Sequence, residues 1–140
     1  MKRRKKIKSG FVEKLEDVVG NDWVVTRREA MLDYLTDETA PTVCPKPAAD
    51  VILVRPSTTQ EISSILKLAN DWKVPVFPRG GGTGVVGGSI PTESGIVLSL
   101  ERMNRVIEVD RENPIMVEVG VKLEMSLKAW MKLTSYFLQI

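Results

Sequence analysis

Six of the ten glycines in this 140-residue chain fall within residues 80–88, in the run Pro78-Arg79-Gly80-Gly81-Gly82-Thr83-Gly84-Val85-Val86-Gly87-Gly88. A tight turn is satisfied by one or two glycines, so six in nine positions demand another reason. Without Cβ, glycine admits positive φ and lets a ligand approach the backbone. Successive N–H groups can then point into one concavity and bind an anion, usually a phosphate. Arg79 could add a positive charge and the Thr83 hydroxyl a donor. The candidate anion-binding set is therefore Arg79, Gly80, Gly81, Gly82, Thr83, Gly84, Gly87 and Gly88.

The residues before this run predict a compact α/β unit. Val51-Ile52-Leu53-Val54 is wholly apolar and closed by Pro56, which reads as a buried strand. Thr58 and Glu61 form a capping box ahead of Ile62, Ile65, Leu66, Ala69 and Trp72 at helical spacing. Val74-Pro75-Val76-Phe77 is a second short apolar run. Strand, helix and strand in this length give a parallel βαβ unit with a right-handed crossover. Loops at the carboxyl ends of such strands are where ligands bind.

Two common phosphate sites do not fit. A Walker loop needs a lysine after its glycines, and no lysine occurs between Lys73 and Lys122. Gly82-Thr83-Gly84-Val85-Val86-Gly87 matches GxGxxG, but a dinucleotide fingerprint must open a helix. Pro91 and Gly95 forbid a continuous helix before the next strand at Ile96. The loop thus runs from strand to strand, and its amides act without a helix dipole.

Elsewhere, Phe11, Val12, Leu15, Val18 and Val19 predict an amphipathic helix, with Ser9 as N-cap and Gly20 as its stop. A short helix is expected from Arg27 to about Leu35. Pro41, Pro45 and Pro47 make residues 36–50 an extended loop. Ile96–Ser99, Val106–Val109 and Ile115–Val119 read as strands, the last two an antiparallel pair joined by the turn-rich residues 110–114. A final helix from about Lys122 carries Leu123, Leu127, Trp130 and Met131 on one face.

Charge and composition exclude several chemistries. The chain has no histidine and one cysteine, Cys44. Ser-His-Asp and Cys-His catalysis, His-ligated metals, disulfides and CxxC sites are all ruled out within it. No apolar run approaches the length of a membrane span, and without a signal-peptide pattern a reducing cytoplasm is the expected compartment. Residues 1–8 hold six basic side chains; the rest of the chain holds 14 basic and 18 acidic ones. With no aromatic interleaved for base stacking, this basic arm reads as a solvated terminus, and no nucleic-acid partner is expected.

Val54-Arg55-Pro56, Ser57 to Glu61, Ala69-Asn70, Val74-Pro75-Val76 and Pro78 to Thr83 together resemble the FAD-binding N-terminal domain of the vanillyl-alcohol oxidase and p-cresol methylhydroxylase superfamily. Tyr34-Leu35-Thr36-Asp37, Gly95 to Leu100, Arg102-Met103-Asn104 and Val117 to Val121 extend the likeness over roughly residues 22–135. The branch most similar is that of FAD-linked D-lactate dehydrogenases and the FAD subunit of glycolate oxidase. The resemblance implies an α+β fold, a small parallel βαβ unit packed with an antiparallel sheet, whose glycine loop wraps the FAD pyrophosphate.

The chain departs from the family pattern at three places. Lys73 stands where the family often has glycine, at the stop of the middle helix. Covalent flavin attachment in some relatives uses histidine or cysteine; with no histidine and Cys44 far from the loop in sequence, non-covalent FAD is expected. The family continues beyond the last helix into further FAD and substrate segments, so residues 9–140 are expected to be a partial, C-terminally truncated FAD-binding domain behind the arm 1–8.

The implied activity is hydride transfer from a 2-hydroxyacid such as D-lactate or glycolate to flavin, with no catalytic residue of its own in this chain. The alternative is a non-catalytic remnant that self-associates without tight flavin binding. A homo-dimer or higher oligomer whose interface includes residues 123–138 is expected, unless a partner chain covers them. Trp72 and Trp130 are expected in core packing rather than on a flavin. Asp33, Asp37 and Glu38 are expected as a solvated helix end rather than a metal site.

Overall fold

Val51–Val54 forms strand β2, with all four residues buried. Alternation along it sends Ile52 and Val54 to one face of a sheet and Val51 and Leu53 to the other. A strand covered on both faces must be apolar at every position, which is why the run lacks any polar residue. In the computed structural model of this protein, residues 9–109 and 115–135 are described.

The sheet has four strands in the order β1-β2-β4-β3. Strand β1 (Val24–Val25) lies antiparallel to β2 at one edge. Strand β4 (Gly95–Ser99), buried throughout, pairs in parallel with both β2 and β3 (Val76–Arg79). The predicted βαβ unit is present with its two strands parallel, but they are not neighbours: β4 is inserted between them. Its five consecutive buried residues need the centre, where both faces are covered.

Helix α1 (Ser9–Val19) places Phe11, Leu15 and Val19 against the face bearing Ile52, Val54, Ile96 and Leu98. Ser9 is already the first helical residue, and Gly20 stops the helix at φ 88°. Helix α2 (Thr59–Trp72) adds Ile65 and Ala69 to the same core. The Trp72 ring lies 5.4 Å from that of Phe11, as core packing requires, while Leu66, expected on the buried face, is 45% exposed. The Thr58 hydroxyl accepts from the Glu61 N–H at 3.2 Å. The Glu61 carboxylate reaches back one residue further than a simple capping box, accepting from the Ser57 N–H at 2.6 Å.

The opposite face is covered by the short helix expected there, a 3-10 helix, Arg28–Tyr34. Its Met31, with Leu35, packs on Val51, Leu53 and Val97. Strands β5 (Val106–Glu108) and β6 (Met116–Val117) form the expected antiparallel pair, with a register shift between Val106 and Glu108. The linking residues 110–114 lie outside the described residues, as does the basic arm 1–8. Helix α3 (Leu123–Ser135) closes the described chain. This is the α+β architecture expected, a mixed sheet with a separate antiparallel pair.

Candidate functional site

Residues 80–94 leave β3 and enter β4 with no helix between them, so the loop sits at the carboxyl end of a parallel strand. Among the described residues, no backbone N–H from Gly80 to Ser89 donates to another protein group; the first that does is Ile90, to the Gly87 carbonyl at 3.2 Å. Ten successive N–H groups without a protein acceptor are backbone that an anion could satisfy.

The expected site residues occupy different environments. Gly80, Gly81, Thr83, Gly84 and Gly88 are exposed, while Arg79, Gly82 and Gly87 are half-buried. Gly82 and Gly87 each take φ 74°, which other residues adopt only at a cost. A Cβ would meet open space at Gly80 and Gly88, but the Pro45 ring at 2.9 Å at Gly87. Cys44, remote from the loop in sequence, is therefore next to a residue that touches it.

Arg79 lines the cleft at the start of the loop, and its guanidinium is held by main-chain groups outside the loop and by one hydroxyl within it. Its guanidinium donates to the Thr36 carbonyl at 2.5 Å, the Asp33 carbonyl at 2.8 Å and Ser89 Oγ at 3.4 Å. It also lies 5.8 Å from the Tyr34 ring centre. Residues 33–39 hold the loop again beyond Arg79: the Glu38 N–H donates to the Gly84 carbonyl at 2.9 Å, and Ser89 Oγ donates to Asp37 at 3.4 Å. Asp37 also accepts from the Thr39 N–H at 3.0 Å, the two-residue reach of an Asx turn. Thr39, then Ser89 and the charge of Arg79, hold the Asp37 carboxyl below its ordinary range.

A cleft of about 440 Å³ opens where the loop begins. Arg79, Gly80 and Gly81 line it together with Tyr34, Glu101, Gly120 and Lys122. The Tyr34 hydroxyl donates to Glu101, whose carboxylate also pairs with Arg55 at 3.5 Å. Burial, then the Glu101 carboxylate, raises the Tyr34 phenol above its ordinary value. Trp23 is packed against the core and carries Arg102 at 3.6 Å from its ring centre. Sequence reasoning gave Tyr34, Asp37 and Glu101 no role at the site; the pattern Asp37-x-Thr39 was the one local signal.

Residues 51–140 match the FAD binding domain family. The chain belongs to that family. It is 51% identical over 92 residues to a D-lactate dehydrogenase of Archaeoglobus fulgidus, covering 65% of this chain and 20% of the relative. It is 46% identical over 61 residues to the glycolate oxidase subunit GlcD of Bacillus subtilis, covering 44% of this chain and 13% of that subunit. Among solved structures it superposes on p-cresol methylhydroxylase with a TM-score of 0.74 and 21% identity, over 94% of this chain and 26% of that one. The chain thus spans a fifth or less of the length of these two relatives. FAD is the cofactor of this family, and a run of successive amides without protein acceptors is chemically suited to a pyrophosphate. No helix among the described residues is long and apolar enough to cross a membrane.

Proposed function

We propose that this chain supplies the pyrophosphate-binding segment of an FAD-dependent 2-hydroxyacid oxidoreductase of the D-lactate or glycolate type. The observation that carries the reading is the row of unpaired N–H groups from Gly80 to Ser89, together with the names of the relatives. When bound, the flavin supplies the oxidant for conversion of a 2-hydroxy to a 2-oxo acid. The chain's own part is to hold the diphosphate by backbone amides and to present Gly80, Gly81 and Gly88 without side chains in the way. Its binding of FAD is non-covalent: the sequence has no histidine, and the half-buried Cys44 thiol faces the Pro45 carbonyl at 3.7 Å. The single thiol and the absence of disulfides suit a reducing compartment such as the cytoplasm.

The test is Gly81→Val. A Cβ at Gly81 meets only the Thr83 methyl at 4.0 Å, so the flavin-free fold should keep its helix content by circular dichroism. FAD affinity, measured by fluorescence quenching, is expected to fall by an order of magnitude or more, which is about 1.4 kcal/mol per tenfold. Unchanged affinity would remove the loop as the site.

A further inference from the structure

The six glycines of the loop divide by what they face. A Cβ at Gly82 would overlap the Arg79 guanidinium, and one at Gly87 would meet Pro45. At Gly84 the neighbour is Asp37, at 3.6 Å. Gly80 and Gly88 face nothing within 4 Å. At Gly82 and Gly87 protein lies where a Cβ would go, while Gly84 would make only an ordinary contact; the other three leave space that a ligand can approach.

The guanidinium under Gly82 is already committed. Two of its nitrogens serve Asp33 and Thr36 carbonyls at the end of the 3-10 helix, where carbonyls lack partners within the helix and attract cations. A third contact, to Ser89 Oγ, ties in the far limb of the loop. The Asp37 carboxylate accepts from the Thr39 N–H and from Ser89 Oγ, the same hydroxyl that Arg79 reaches.

We propose that Arg79 is a positioning residue: it is the post around which the glycine loop is wound, with residues 33–39 as its socket, and it does not neutralise the bound phosphate. This rests on the reading of the loop as the pyrophosphate site. A planar fork that reaches two carbonyls and a hydroxyl at once cannot be replaced by the point charge of lysine. A direct phosphate contact, by contrast, would be kept in large part by lysine.

The experiment compares Arg79→Lys, Arg79→Gln and Ser89→Ala in the full 140-residue chain. Without flavin, amide exchange at Glu38, whose N–H is bonded to the Gly84 carbonyl, reports whether the loop is wound. Both Arg79 variants should raise that exchange by roughly tenfold or more, and both should weaken FAD binding to the same extent. Ser89→Ala, which leaves the charge in place, should move both readouts the same way by a smaller factor, and it decides the matter if the Arg79 variants do not fold. Lysine retaining parental affinity with Glu38 still protected would overturn the proposal. So would raised exchange with FAD affinity unmoved, because Arg79 would then serve only the fold. If the parent itself binds no FAD, the reading of the site fails while the flavin-free exchange still decides whether Arg79 winds the loop.

Discussion

The Tyr34 hydroxyl donates to Glu101, 2.8 and 2.9 Å from its two carboxylate oxygens, and so joins the 3-10 helix to the turn after β4 across one wall of the cleft. Tyr34→Phe removes the donor and leaves the ring in place. A hydrogen bond to a charged acceptor contributes about 1.5 kcal/mol, and chemical denaturation should show a loss of that order.

The same residue sets the alkaline limit. Its phenol is raised above the ordinary 10.0 by burial and then by Glu101. The unfolded chain therefore loses this proton first as pH rises. Tyr34 contributes its stability fully below pH 10 and loses it as pH climbs through the higher folded value. Urea midpoints measured between neutral pH and strong alkali should fall more steeply for the parent than for Tyr34→Phe.

Asp37 acts at the acid end with the opposite sign. Its folded carboxyl titrates below the ordinary 3.8 because of Thr39, Ser89 and Arg79. The unfolded state thus takes up the proton first on acidification. The contribution is present above that ordinary value and lost as pH falls through the folded one. Asp37→Asn should flatten this part of the acid profile. Glu118, lowered by Arg105 2.6 Å away, should leave a second acid-sensitive component in both proteins.

Lys73 ends α2 at φ 54° and ψ 45°, the sole positive-φ residue other than glycine among those described. A side chain in this left-handed conformation costs about 1 kcal/mol. Lys73→Gly should raise the thermal midpoint, with the gain reduced by the greater freedom of glycine in the unfolded chain. A fall in the midpoint would mean that the Lys73 stem contributes packing that outweighs the strain.

These predictions mark how far sequence reading reached. The buried runs of β2 and β4 and the Thr58–Glu61 cap were legible because each follows from local pattern; at Lys73 only the resemblance pointed to a glycine-like position. The insertion of β4 between β2 and β3 was not, since strand order depends on which strand most needs cover on both faces. Five consecutive apolar or small residues in Gly95–Ser99 carried that signal. The direction of Arg79 was the larger miss. Its acceptors are main-chain carbonyls of Asp33 and Thr36, and every residue offers a carbonyl, so no side-chain pattern marks the socket. At Gly82 a Cβ would overlap the Arg79 guanidinium, a contact that the glycine pattern alone does not show.

The outer face of α3 gives the last prediction. Leu123, Leu127 and Met131 recur every four residues, on one side of the helix, and are 74%, 51% and 60% exposed. Exposed apolar residues scattered singly mean little, but a stripe along one helix face marks a surface that is covered in use. Hiding such a stripe gains about 25 cal/mol per Å², opposed by the entropy of association. A two-fold pairing covers one patch with another copy of itself. At micromolar concentration, light scattering should therefore give a mass above the 15.6 kDa of one chain. Leu127→Glu, which sets a charge in the middle of the stripe, should return the chain to monomer without loss of helix signal. A parent that is already monomeric at that concentration would show that the stripe does not mediate self-association.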